Sequence, residues 1–266
     1  MTSSNHAVTS REYKLMLSSH RFKDRNQATD EFQELIAFLI SKEGGEVTDR
    51  QTKEERRHTS YLDTPQFALR QNGFALRLRE ESADKFQLNL KYRDADRYIS
   101  ASKDLSSTSQ GKFKFEEDII PPFTSKFSHS NSIETAQKPR LDHMKDVTAL
   151  FPGLKELEID ENTPVITANN FRVFELTRKL CKFKFDDSEI LKASLSFWYL
   201  LNETHWPLVA EFSFDYDAAE TEEGQLESYS PTMVKRASGF FRSLQNQAGW
   251  LDLTTTTKTA FALEVL

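Results

Sequence analysis

The chain has 266 residues, 38% hydrophobic and 29% charged, with 21 Phe, one Cys and a net charge of −6. That is apolar material for one large core, and barrels of this length commonly form a single domain. The acidic balance excludes a general basic field for nucleic acid. The lone Cys181 excludes an intrachain disulfide, and no apolar run reaches the roughly 20 residues of a membrane span. With the polar start MTSSNHAVTSREYK, which lacks a signal-peptide core, the expectation is a soluble, cytoplasmic protein without membrane or nucleic-acid partners.

The elements follow in chain order. Tyr13, Leu15 and Leu17 alternate with Ser10, Glu12, Lys14 and Met16, which predicts a strand. Asp30-Glu31-Phe32-Gln33 is similar to a capping box, Phe32, Leu35, Ile36 and Leu39 form a helical stripe, and Gly44-Gly45 ends it. In YLDTPQFALRQNGFALRLRE, from Tyr61 to Glu80, an Asp63-Thr64-Pro65 turn precedes a strand. That strand places Phe74, Leu76 and Leu78 on one face and Arg77 and Arg79 on the other. The same alternation returns in KFQLNLKYR, where Phe86, Leu88, Leu90 and Tyr92 oppose Gln87, Asn89, Lys91 and Arg93. It returns again in KFKFEED, with Phe113 and Phe115 against Lys112, Lys114, Glu116 and Asp118.

Residues 119–138 are rich in Ser, Thr and Pro and predict a loop or insertion. A helix is expected near Arg140–Phe151, stopped by Pro152-Gly153. Three further strands follow. Cys181, Phe183 and Phe185 alternate with Lys182, Lys184 and Asp186; Leu191, Ala193, Leu195 and Phe197 with Lys192, Ser194 and Ser196; and Phe212, Phe214 and Tyr216 with Glu211, Ser213, Asp215 and Asp217. Ser230-Pro231 opens a last helix carrying Val234, Ala237, Phe241 and Leu244. The Asn202-Glu203-Thr204 sequon carries no meaning in a cytosolic chain, and the acidic stretch 217–227 reads as a solvated loop.

No P-loop, Rossmann fingerprint or G-x-S-x-G elbow occurs, and the six histidines lack metal-ligand spacing. The alternating strands fit two architectures. One is an ordinary antiparallel sheet with solvated polar faces; the other is a wide barrel whose polar faces line its interior. Periodicity alone leaves both open. The density of Lys, Arg, Glu and Asp on the polar faces suits an anion held by cations, with carboxylates carrying a metal ion.

Several of these segments, taken together, resemble the CYTH superfamily, the triphosphate tunnel metalloenzymes. Ser10-Arg11-Glu12-Tyr13-Lys14 is similar to its opening E-x-E-x-K strand, with Ser10 in place of the first Glu. The Tyr61–Glu80 stretch resembles its tyrosine, Asp-Thr-Pro turn, glycine and L-R-x-R pattern. FQLNLKYR resembles the next lysine strand, KFKFEED the basic-x-E-x-E strand, VAEFSFDYD the late acidic strand, and TTTTKTAFAL the C-terminal Ser/Thr-Lys segment.

The resemblance spans about Ser10 to Leu263. It implies a mostly β (α+β), antiparallel, eight-stranded closed tunnel with helices packed outside, one domain over 1–266 with its core at about 8–264. It implies phosphate-binding Lys14, Arg77, Arg79, Lys91, Lys114, Arg178, Lys182 and Lys258. The metal ligands it implies for Mg²⁺ or Mn²⁺ are Glu12, Glu116, Asp118, Glu211 and Asp215, with Glu12, Glu116 and Glu211 as catalytic residues. The activity implied is metal-dependent hydrolysis of a triphosphate-bearing substrate: inorganic triphosphate, thiamine triphosphate or a nucleoside triphosphate. Alternatives are a non-catalytic polyphosphate- or nucleotide-binding protein with a decayed metal site, or an adenylyl cyclase. Ser10 and Ser213 stand where the family carries carboxylates, and the strand around Lys192, Ser194 and Ser196 offers no acid.

Overall fold

Period-two alternation gives each strand an apolar and a charged face, and closing a sheet of such strands into a barrel turns one set toward helices and the other inward. A computed structural model describes residues 8–200, 206–218, 229–252, 254 and 257–264. Its strands are β1 (Ser10–Leu17), β2 (Glu46–Arg50), β3 (Glu54–Asp63), β4 (Phe74–Ser82), β5 (Lys85–Asp94), β6 (Lys112–Ile120), β7 (Thr124–Thr135), β8 (Ile166–Lys184), β9 (Leu191–Leu200) and β10 (Val209–Asp217). The helices are α1 (Arg25–Lys42), α2 (Ala68–Gln71), α3 (Arg97–Ser102), α4 (Met144–Leu150), α5 (Pro231–Gln245) and α6 (Lys258–Glu264).

Around the barrel the order is β8-β3-β4-β5-β7-β6-β1-β10-β9, and β9 closes the ring on β8. β2 pairs with the far end of β8 and stays outside the ring. The expectation of eight antiparallel strands is corrected on two counts. Nine strands form the ring, and β1 runs parallel to β6. Local alternation marks a strand but says nothing about which distant strand it meets, so the β1–β6 pairing has no signature in sequence.

The stretch expected as a loop at 119–138 contains β7, whose ladder runs from Phe127 to Thr135 against β5 and along β6. Its Ser-rich face looks into the barrel while Ile133 joins the core, so composition concealed a strand whose alternation was intact. The sequon at Asn202 lies outside the described residues, as does most of the acidic stretch.

Two apolar layers sit outside the ring. Tyr13, Leu15, Phe183 and Phe214 pack with Phe32 and Ile36 of α1 and with Phe240 and Phe241 of α5. Leu76, Leu88, Leu90 and Ile133 pack with Met144 and Val147 of α4. Each such fully buried side chain contributes roughly 1.5–3 kcal/mol. α5 begins as expected, with the Ser230 hydroxyl accepting the Met233 N–H at 3.3 Å and Pro231 at the first turn. α1 starts earlier than the box at Asp30: Asp24 caps it by accepting the Gln27 N–H at 3.0 Å, and Ala28 extends the buried stripe.

A third apolar cluster closes one end of the barrel. Met16, Tyr61, Val173, Trp198 and Val209 meet Ala262 and Leu263 of α6 there. None of the described helices is long and apolar enough to cross a membrane.

Candidate active site

Strand parity delivers the site. Glu12 and Lys14 of β1, Arg77 and Arg79 of β4, Asn89, Lys91 and Arg93 of β5, Glu116 of β6 and Glu211 of β10 line a cavity of about 270 Å³ inside the barrel. Tyr61 and Ala75 line it too, with Thr257, Lys258 and Thr259 from the α6 end. The solvated-sheet alternative therefore falls.

Three carboxylates converge on one wall. Glu12, Glu116 and Asp118 each offer an oxygen within 4.8 Å of the other two. Lys14 Nζ lies 2.9 Å from Glu12 and 2.8 Å from Asp118, and Arg93 lies 2.5 Å from Asp118. Lys91 and Lys114 reach Glu116 at 3.2 and 2.7 Å. Burial alone would raise both buried acids, but the cations win. Lys91 with Lys114 and Lys14 draws Glu116 down to about 2, and Lys14, Lys91 and Arg93 hold Asp118 well below the usual carboxylate range.

On the opposite wall Glu175 of β8 is wholly buried. It accepts from Arg57 at 2.7 Å, Thr59 at 3.0 Å, Ser196 at 3.1 Å and Lys258 at 3.2 Å, with Arg79 at 3.5 Å. Lys258 also reaches Glu211 at 3.0 Å. Arg77 makes no hydrogen bond and no ion pair among the described residues, and its buried Nε lacks an acceptor. Burial and the neighbouring Arg77 draw the Arg79 guanidinium down to about 9. Two adjacent arginines are thus held together at electrostatic cost, with space in front of them.

Of the phosphate-binding residues expected, Lys14, Arg77, Arg79, Lys91 and Lys258 line this cavity, and Lys114 adjoins it through Glu116. Arg178 does not belong. It lies 3.6 Å from Asp30 of α1, on the outward side shared by Leu176 and Leu180. The cause is a bulge between Lys179 and Cys181, which inserts one residue and reverses the parity counted back from Lys182. Lys182 lines a separate outer cavity and pairs with Asp49 at 3.8 Å.

Of the five expected metal ligands, Glu12, Glu116 and Asp118 come together, whereas Glu211 is engaged by Lys258. Asp215 stands opposite Glu12 in the β1–β10 register. Ser10 is fully buried, and Ser213 shares a hydrogen bond of 3.3 Å with Ser194 in the wall. The sequence reading missed Arg93, Arg57 and Glu175 as site residues. Arg93 was recoverable, two positions beyond Lys91 on the same face; Glu175 was hidden by the bulge. Cys181 is buried, and its thiol is pushed up to about 12, in keeping with a packing role.

Burial and the facing Glu12 push Asp215 up to about 6. An acid whose folded value exceeds its ordinary 3.8 binds protons more tightly when folded. Its contribution is therefore favourable in acid and fades as pH rises from about 4 to about 6. Asp215→Asn is expected to stabilise the protein at pH 8, by up to about 3 kcal/mol, and to have little effect at pH 4. Paired urea titrations check this; equal effects at both pH values would contradict it.

No family model matches the chain, and no curated protein matches it. Solved structures similar over nearly the whole chain include the following three. A candidate adenylyl cyclase from Hippeastrum, described as revealing a dominant triphosphatase activity, is 14% identical with a TM-score of 0.48, covering 97% of this chain and 96% of that one. A candidate adenylate cyclase from Bacillus halodurans is 14% identical with a TM-score of 0.39, covering 96% and 97%. A candidate adenylate cyclase from Vibrio parahaemolyticus is 13% identical with a TM-score of 0.32, covering 92% and 91%. At these values the likenesses fix neither substrate nor reaction. A closed barrel with a charged bore is the fold that the resemblance to the CYTH superfamily implies.

Proposed function

We propose that the bore binds the phosphates of a triphosphate-bearing small molecule and hydrolyses it with the help of a divalent cation. The observation that carries this is the Arg77–Arg79 pair, two cations side by side with no carboxylate on Arg77 among the described residues, facing a cavity whose other wall holds three converging carboxylates. An anion relieves the repulsion, and each guanidinium gives it charge-assisted hydrogen bonds worth roughly 1.5–3 kcal/mol. Lys91, Arg93 and Lys258 surround the same space and add to the positive potential.

The donor set of Glu12, Glu116 and Asp118 is oxygen-only and partly buried, which fits a hard ion such as Mg²⁺ or Mn²⁺. When bound, such an ion supplies charge neutralisation and an activated water for in-line attack. Lys14, held between Glu12 and Asp118, keeps both acids in place and holds Asp118 charged, and Lys91 and Lys114 hold Glu116 in place and charged.

The test is phosphate release from tripolyphosphate, thiamine triphosphate and ATP with Mg²⁺ or Mn²⁺. Metal-dependent release that Glu116→Gln lowers by two orders of magnitude or more is the expected result, since that change removes the charge of a central ligand. A second reading, binding without turnover, draws on the same acids: each is already engaged by a lysine or arginine, so an ion must compete for them. Tight tripolyphosphate binding with no release under either metal would select it.

A further inference from the structure

The cations on the acidic wall are not equivalent. Lys91 and Lys114 both end on Glu116, at 3.2 and 2.7 Å, and touch neither Glu12 nor Asp118. Arg93 is fixed twice over. Its Nη2 lies 2.5 Å from Asp118 Oδ2, and its Nε donates at 3.0 Å to Ser128, whose hydroxyl donates to that same oxygen at 2.8 Å. The closed triangle leaves Oδ1 as the side of Asp118 turned to the other acids. Lys14 alone, among the described residues, bridges two of the three acids, with Nζ 2.9 Å from Glu12 and 2.8 Å from Asp118 Oδ1.

Register builds this bridge. Glu12 of β1 stands opposite Asp118 of β6, and Lys14, two residues on, shares the inward face of Glu12. Carboxylates this close and this buried repel one another unless a cation lies between them, and the Lys14 ammonium is that cation. It is also the one cation of the wall free to leave cheaply. An ammonium is a compact point charge on a flexible stem, whereas a guanidinium is a rigid fork. Glu12 and Asp118 are its only ion-pair partners among the described residues, and Arg93 and Ser128 stay on Asp118 without it. Lys14 already lines the cavity that Arg77 and Arg79 face.

We infer that Lys14 is a place-holding cation: its ammonium occupies the position between Glu12 and Asp118 that a divalent ion needs, and yields that position to the ion by turning into the bore, where it becomes a donor to the bound anion. This rests on the metal-dependent triphosphate reading. One positive charge then serves the acids first and the phosphates afterwards, so that ion and anion each favour the binding of the other. The arrangement also weakens the ion's apparent affinity, by the fraction of molecules in which Lys14 still holds the place.

Two measurements on the full chain test it. The first is calorimetric titration with Mn²⁺ in the absence of any phosphate ligand. Lys14→Met is expected to bind Mn²⁺ about tenfold or more tightly than wild type, and Lys91→Met, which deletes an equal charge beside Glu116, to gain about threefold or less. Equal gains would make Lys14 one charge among several and overturn the inference; binding by Lys14→Met alone would support it. The second uses wild type only, and so does not depend on a variant folding. Brief reductive methylation with formaldehyde and a borohydride, with and without Mg²⁺, is read lysine by lysine by mass spectrometry. Ion pairing keeps an amine protonated and unreactive, so Lys14 labelling is expected to rise about fivefold or more with saturating Mg²⁺ while Lys91 and Lys114 change by less than about twofold. Unchanged Lys14 labelling while Mg²⁺ binds would overturn the inference and leave the metal reading intact. No divalent binding by wild type or by Lys14→Met would overturn both.

Discussion

Glu175→Gln is expected to destabilise the free protein by about 3–5 kcal/mol, and tripolyphosphate is expected to restore more stability to the variant than it adds to wild type. Glu175 is wholly buried and is the common acceptor of Arg57, Arg79 and Lys258. Taking away one partner of a buried ionic cluster leaves the others uncompensated, which costs far more than an exposed pair ever contributes. The amide keeps size and shape, so the loss reports charge and not a cavity. A polyanion bound only to the folded state then returns negative charge to the cluster and stabilises by mass action. Thermal melts over a tripolyphosphate series give both numbers. A midpoint unchanged by the substitution would remove Glu175 from the electrostatic framework, and a smaller ligand effect in the variant would place the anion elsewhere.

The same residue sets an acid limb. The cations hold Glu175 well below its ordinary 4.5 against the opposing effect of burial, and Glu116 at about 2 behaves alike. A depressed acid contributes stability that is complete above its unfolded value and is lost as pH falls below it. Wild type therefore loses stability as pH drops below about 4.5, and Glu175→Gln flattens that limb while Asp215→Asn does not.

How much of this was legible in the sequence depends on strand regularity. β4 as far as Glu80, β5 and β6 alternate without interruption, so spacing put Arg77, Arg79, Lys91, Lys114 and Glu116 on polar faces, and the family resemblance turned those faces toward one interior. β8 has 19 residues and a bulge, and a single inserted residue exchanges Arg178 for Glu175. That exchange replaces an expected phosphate ligand with the acid that anchors the opposite wall. β7 was lost for a different reason: its inward face carries Ser128, Ser130 and Ser132, which read as loop composition, although Ser128 donates to Asp118 at 2.8 Å. The division of the acids was also beyond spacing. Glu12, Glu116 and Asp118 meet only because β1 lies beside β6, a contact between residues more than 100 positions apart. Glu211 was drawn into the same list by its motif, yet Lys258 from α6 takes it to the other wall.

Arg77→Ala is expected to have two effects of opposite sign. The guanidinium has a buried Nε with no acceptor, and it presses on the charge of Arg79. Removing it relieves that repulsion and one unsatisfied donor, so the free protein should gain about 1 kcal/mol or lose nothing. Its loss also deletes a bore arginine that, among the described residues, is not committed to a carboxylate, so tripolyphosphate affinity should fall by about 10- to 150-fold. Arg79→Ala behaves differently, because Arg79 also serves Glu175; it should weaken the ligand and destabilise the free protein together. A purely structural role for Arg77 predicts lower stability with unchanged affinity. Melting curves and calorimetric titrations of the two variants side by side separate these cases. On the proposed reading, the electrostatic cost of placing Arg77 beside Arg79 leaves Arg77 without a carboxylate partner among the described residues, so that its charge is available to an anion.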